Sequence, residues 1–211
     1  MNSRFFIKQD LQRIKAAVGK AEAKTSGEIV PVIAAKSVHY AWLVFLLGVL
    51  GLAAGTCTGL WLSHYWPFAA ELSTIFALQG GGLALGALLG RSAWIMRKLL
   101  GDLWMEQEVF SAAQLAFVKE GLFNTRDHTG ILIYISLRER RVVILADKGI
   151  NEKVSPTYWD EEVKKIVIGL RNGTAGDALV EVVEEVGGKL AEHFPKKADD
   201  TNELEDQVRL R

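Results

Sequence analysis

The residues of this chain best suited to chemistry are acids that fall beside predicted strand ends. Glu28 opens one strand, Asp127 stands just before another, and Asp147, Asn151 and Glu152 follow a third. Oxygen-bearing side chains of this kind suit a hard cation such as Ca²⁺ or Mg²⁺. Glu28, Asp127, Asp147 and Asn151 are therefore the candidate metal ligands. The alternative reading makes them solvated loop acids that cap helices and turns. His128, next to Asp127, is either a general base or ligand or an exposed loop histidine. The remaining histidines, His39, His64 and His193, are scattered. There is no Ser-His-Asp arrangement, CxxC, HExxH, P-loop, or GxGxxG after a strand, so no catalytic or cofactor-binding residue is assigned.

These acids depend on the elements that carry them. Apolar positions at Ile7, Leu11, Ile14, Val18 and Ala21 recur with a helical period and end at Thr25-Ser26-Gly27. Glu28 to Ala34 reads as a strand in which Pro31 implies an edge or a bulge. Asp102 to Gly121 reads as a helix with Asp102 as N-cap and Gly121 just past its end. Gly130 to Ser136 and Arg141 to Asp147 are β-rich runs joined by the short connection Leu137 to Arg140, a hairpin. A turn centred on Glu139 sets Gly130 opposite Asp147. Helices follow over Pro156 to Arg171, with Pro at the first turn, and over Ala175 to Phe194. Strand, crossover helix, strand is a parallel βαβ unit. The fold class is α/β, a small mixed-sheet sandwich. Glu28, Asp127 and Asp147 then gather at one end of the sheet. Asp160-Glu161-Glu162 with Lys164-Lys165 reads as an ordinary solvated helix face.

Two uncharged apolar runs interrupt this pattern, Ala41–Leu62 and Leu72–Gly90. Each is long enough to cross a hydrocarbon core of about 30 Å, which needs roughly 20 helical residues. Ser63 to Glu71, with Tyr65, Trp66 and Pro67, reads as a turn at the membrane interface, and Trp42, Trp61 and Trp94 mark the other run ends. Lys36, Arg91, Arg97 and Lys98 flank the outer ends, while the turn has no Lys or Arg. The positive-inside rule puts both ends in the cytoplasm. No signal-peptide pattern precedes residue 30, and Cys57 lies alone in the first run. The domain reading is therefore 1–36 and 97–195 for one split soluble domain, 41–96 for an inserted transmembrane hairpin, and 196–211 for a disordered tail. The basic connection, Arg138, Arg140 and Arg141, points at the lipid surface. The repeats Gly51-x3-Gly55-x3-Gly59 and Gly82-x3-Gly86-x3-Gly90 permit close helix approach. They overlap only near the middle, around Gly51 and Gly82, which either leaves glycine surface for a partner helix or a second copy, or reflects glycine merely filling an ordinary hairpin. Lys+Arg 25 balance Asp+Glu 25, so charge gives no argument for nucleic acid.

Ser26-Gly27-Glu28-Ile29-Val30 resembles the T-G-x-E-I-V opening of TPM-domain proteins. Thr129-Gly130-Ile131-Leu132-Ile133 resembles their second strand. The run from Arg140 through Asp147-Lys148-Gly149-Ile150 resembles their third strand and the glycine-bearing turn after it. The pattern is similar to a bacterial subgroup with two membrane spans inserted after the first strand, an inner-membrane location, and a His193-Phe194-Pro195 ending. The resemblance covers about residues 5–36 and 100–195. It implies a small α/β sandwich, divalent-cation binding in some members, a phosphatase activity proposed for others, and accessory roles at membrane complexes. Lys148 and Asn151 replace the aromatic and the acid common in the exported members' turn. Two functions follow: a membrane-anchored, non-enzymatic adaptor, or a metal-dependent hydrolase acting on phosphate esters.

Overall fold

The computed structural model describes residues 5–38, 40–66, 71–197, 204 and 207–211. The expected Pro67 turn, half of the tail, and the side chains of Trp94 and Arg97 lie outside the described residues. The chain divides into two compact units, one of residues 1–37 with 106–211, the other of residues 38–105. The second boundary falls later than the expected 96–97 because one long helix crosses it.

The first unit is an α/β sandwich. Helix α1 (Lys8–Glu22) precedes β1 (Glu28–Ala34), and β2 (Gly130–Ser136) and β3 (Arg141–Ala146) form a hairpin. β1 and β2 run parallel with Glu28 facing Gly130 and Ala34 facing Ser136. β2 and β3 run antiparallel from Ile131 opposite Ala146 to Ser136 opposite Arg141. That is the register expected from a turn centred on Glu139, and the Asp147 amide donates to the Gly130 carbonyl at 2.9 Å. Alternate residues divide between the faces. Ile29, Ile33, Ile131, Ile133 and Ile135 pack with α1, α6 (Pro156–Asn172) and α7 (Ala175–His193). Val30, Val32, Ala34, Leu132 and Tyr134 pack with Val109, Ala113 and Ala116 of α4 (Ala93–Lys119) and with Leu122. A parallel pair covered on both faces has no polar side to alternate with, which is why β1 and β2 read as continuous apolar runs.

Pro31 marks no bulge, because β1 pairs with β2 residue for residue, while the other side of β1 is paired by β4 only at Val32 and Ile33. The sheet order is β3-β2-β1-β4, and β4 (Arg209–Leu210) belongs to the expected disordered tail. It lies parallel to β1, Val32 facing Arg209. The correction has a plain cause: the exposed backbone of β1 is a template that the end of this chain can satisfy. The tail's beginning is also engaged, since the Lys196 amide donates to the Lys24 carbonyl at 3.3 Å.

The second unit is a helical hairpin of α2 (Ala41–Tyr65) and α3 (Leu72–Arg91), both long and apolar enough to cross a membrane. α4 continues from it and is broken at Gly101, whose φ of 75° and ψ of 160° are not helical. The glycine repeats are used along their whole length inside this hairpin, not only near its middle. A Cβ at Gly51, Gly55, Gly82 or Gly86 would overlap the backbone of the facing helix, and Gly59 and Gly90 meet it at the two ends. Gly80 and Gly81 face open space. Gln79 donates to Thr56 at 3.0 Å across the pair.

Candidate functional site

The end of the sheet where β1 and β2 begin carries the expected acids. Glu28 is buried at the start of β1, and Asp147 caps α5 (Lys148–Asn151), its Oδ1 accepting from the Lys148 amide at 2.7 Å. His128 sits at a φ of 54° and brings Nδ1 to 3.1 Å from Asp147 Oδ2. Gly149 permits this turn to close. A Cβ there would stand 2.7 Å from the Asp127 carbonyl oxygen, and the Gly149 amide donates to the His128 carbonyl at 3.1 Å. Topology thus brings the acid-bearing segments together, but the side chains serve separate ends. Asp127 pairs with Lys197 at 2.5 Å, and Asn151 donates its amide to the Ala146 carbonyl at 2.6 Å. Among the described residues no three His, Cys, Asp or Glu side chains stand close enough to hold a metal. As placed, they do not form the oxygen cage that Ca²⁺ or Mg²⁺ takes.

The opposite end of the sheet holds a polar network the sequence reading missed. Ser136 is fully buried and Glu139 is 5% exposed. The Ser136 hydroxyl donates to Glu139 Oε2, the Ser37 hydroxyl donates to Ser136 Oγ at 2.7 Å, and the Ser37 amide donates to Glu139 Oε2 at 3.2 Å. The Tyr134 hydroxyl stands 3.0 Å from Ser37 Oγ. A run of hydroxyls ending on a buried carboxylate is polarised along its length. It ties β1's exit, β2's last residue and the hairpin turn into one rigid corner, fixing Ser37, the last residue of its unit's first segment. The available signal was Tyr134 and Ser136 on one face of a strand that is otherwise apolar.

A third site lies on α6 and α7. Tyr158, Glu162 and Lys165 share one face of α6, and Lys165 lies 3.0 Å from Glu162 Oε1 and hydrogen-bonds Glu185 of α7. Glu162 is 1% exposed, so the solvated-face reading fails at this position, while Asp160, Glu161 and Lys164 are exposed as expected. Its Oε2, the Tyr158 hydroxyl and the Trp159 indole nitrogen are buried without hydrogen-bond partners. Burial raises the Glu162 carboxyl above its ordinary value, against the pull of Lys165. The hydrogen bond from Lys165 lowers Glu185. Burial, with the Glu162, Glu185 and Glu192 carboxylates, raises Tyr158. Two carboxyls whose environments push them apart are the arrangement that separates a proton donor from an acceptor.

Residues 100–189 match the family model of the TPM domain. An NMR structure of the BA42 protein from the psychrophilic bacterium Bizionia argentinensis is similar in fold, with a TM-score of 0.61 at 22% identity, covering 100% of this chain and 99% of that one. No curated protein matches the chain.

Proposed function

We infer that this chain is a membrane-anchored accessory module, an adaptor that acts by binding and not by catalysis, of the bacterial kind with two inserted spans. The observation that carries this reading is the exterior of the α2–α3 pair. Phe45 is 75% exposed and Phe76 65%, with Trp61, Leu60, Leu72 and Leu88 exposed around them. Large contiguous apolar surface on a helix pair this long suits lipid. The α/β unit is then the cytoplasmic part, held at an inner membrane, with Lys36 and Arg91 at the outer ends of the spans setting orientation. With its glycine stripes packed inside the hairpin, a membrane partner or a second copy meets the face that carries Gly80 and Gly81. Reporter fusions at residue 211 and at the amino terminus, both expected to be cytoplasmic, test the topology. A pull-down in mild detergent, expected to retain a membrane protein, tests the adaptor role, and an exported residue 211 overturns the orientation.

A second reading, hydrolysis of phosphate esters with a divalent cation that would have to draw Glu28, Asp127, Asp147 and Asn151 out of their present pairings, is favoured by the His128–Asp147 pair. The name of the matched family also refers to a phosphatase. Turnover of phosphate esters by the full chain that requires Mg²⁺ or Ca²⁺ and is lost in Asp147→Asn would establish it; no turnover with either cation removes it.

A further inference from the structure

The two edges of the sheet are unlike. β3 is a full strand, whereas the other edge is completed only by a short stretch at the end of the chain. That stretch is held in a particular way. The Arg211 amide donates to the Ile33 carbonyl at 3.0 Å, and the Ala35 amide donates to the Arg211 carbonyl at 2.7 Å. Arg209 and Arg211, on one face by the two-residue period of a strand, divide the oxygens of a single carboxylate. Arg209 Nε lies 3.0 Å from Glu120 Oε2, and Arg211 Nη2 lies 2.5 Å from Glu120 Oε1. With the two arginines on it, the Glu120 side chain is left 14% exposed. Val208 packs on the α1–α6–α7 side of the sheet. Backbone ladder, one carboxylate and one apolar position together read an extended sequence.

The site has a defined length. In β1 the even residues bond toward β2, as with the Glu28 amide to Thr129, and the odd residues bond toward β4. Pro31 therefore turns its nitrogen, which has no hydrogen, to the β4 side, and the ladder can donate no further in that direction. Ile33 and Ala35 supply the donors, so the edge fits a segment of about three residues.

We propose that the β1 edge with Glu120 is a docking groove for an extended Arg-x-Arg segment of a partner protein, filled in cis by residues 207–211. The strap is short and its ion pairs are partly solvated, so it is displaceable. Tethering gives it a high effective concentration, so the groove admits a second segment only when the strap leaves or the competitor is abundant. The purpose of such a groove rests on the accessory-module reading, but the binding itself does not.

The test uses the full chain in lipid nanodiscs and a fluorescent peptide of residues 207–211. The unmodified chain should bind it weakly. The strap variant Arg209→Glu with Arg211→Glu should bind at least about tenfold tighter, and adding Glu120→Gln should reverse the gain. A peptide with both arginines replaced by glutamine should not bind. Equal weak binding by both chains, or binding indifferent to Glu120→Gln, overturns the proposal. If the strap variant fails to fold, hydrogen exchange on the unmodified chain decides. Millimolar peptide should speed exchange at residues 207–211 while Ile33 and Ala35 stay protected, and no change overturns the groove. Concentration-dependent dimers that vanish in Glu120→Gln would assign the groove to a second copy and overturn a separate partner. Failure to bind peptide leaves the membrane anchor standing, whereas an exported carboxy terminus overturns the anchor's orientation and leaves the groove.

Discussion

The α/β unit and the helical hairpin put the same residue types to opposite uses. In the α/β unit Ile131, Ile133 and Ile135 have no exposure at all, and helices on both faces keep them from water. In the hairpin Phe45, Leu60 and Phe76 point outward, and the inner seam is left to glycine. Burial of apolar area drives the first arrangement. Close backbone approach and dispersion hold the second together, the kind of packing that serves helices where that drive is absent. The comparison teaches that large apolar residues stabilise the fold by their burial only in the unit that hides them, and that small residues set the packing of the other.

That contrast is broken most severely at the hairpin seam. Gly86→Leu places a side chain on the Leu47 carbonyl and should force the helices apart, at about 3 kcal/mol or more. Gly80→Leu, which meets nothing within 4 Å, should leave the pair intact. Distances between spin labels on α2 and α3 distinguish the two, and equal behaviour would show that the seam is not where the helices meet. A matched truncation in each unit comes next. Ile133→Ala should cost about 2–5 kcal/mol in thermal or denaturant melting, because it leaves a cavity. Phe45→Ala should change melting in detergent by less than about 0.5 kcal/mol, since its ring is exposed.

A smaller effect is expected at the corner that fixes Ser37. Glu139→Ala strands the Ser136 hydroxyl and the Ser37 amide and should cost about 1–3 kcal/mol. Ser136→Ala with Glu139→Gln should restore part of it, because fewer buried groups are left unpaired. The smallest effect is pH-dependent. The folded state holds the Glu162 proton more tightly than the unfolded chain, so stability from this group is present below 4.5 and is lost as pH rises through its elevated value. Glu185 acts in the other sense, contributing above its ordinary value and losing that contribution in acid. Glu162→Gln removes the first slope and, because Glu162 helps to lower Glu185, weakens the second in acid. Its melting temperature relative to the unmodified chain should therefore rise from pH about 4.5 to 7. A flat difference would mean that Glu162 titrates normally.

The candidate sites separate by sequence distance. The acid-bearing segments were legible at one sheet end because strand order and a four-residue turn fix the register of Gly130 and Asp147. Their occupations were not, since Lys197 reaches Asp127 from 70 residues away. Nor was the Glu139 corner, whose partner Ser37 lies 102 residues distant. Glu162 was misread as solvated because its neighbours Asp160, Glu161 and Lys164 are, and a helix face narrows to a single buried carboxylate only when α7 covers it.

By itself the sequence determined the elements with strong local periods: the apolar α2 and α3, the β1, β2 and β3 runs, the hairpin register and the amphipathic α6 and α7. Those follow from the two-residue and 3.6-residue repeats of side-chain direction, which any window of the chain exposes. Tertiary structure alone decided that the glycine stripes close on each other along their full length, that Glu162 is buried, and that residues 209–211 complete the sheet on Glu120. The pairing of Arg209 and Arg211 with Glu120 spans 89 and 91 residues. Only when α4 and β1 are held in place on the sheet do a lone carboxylate and an open strand edge face the same short segment, and no local repeat records that coincidence.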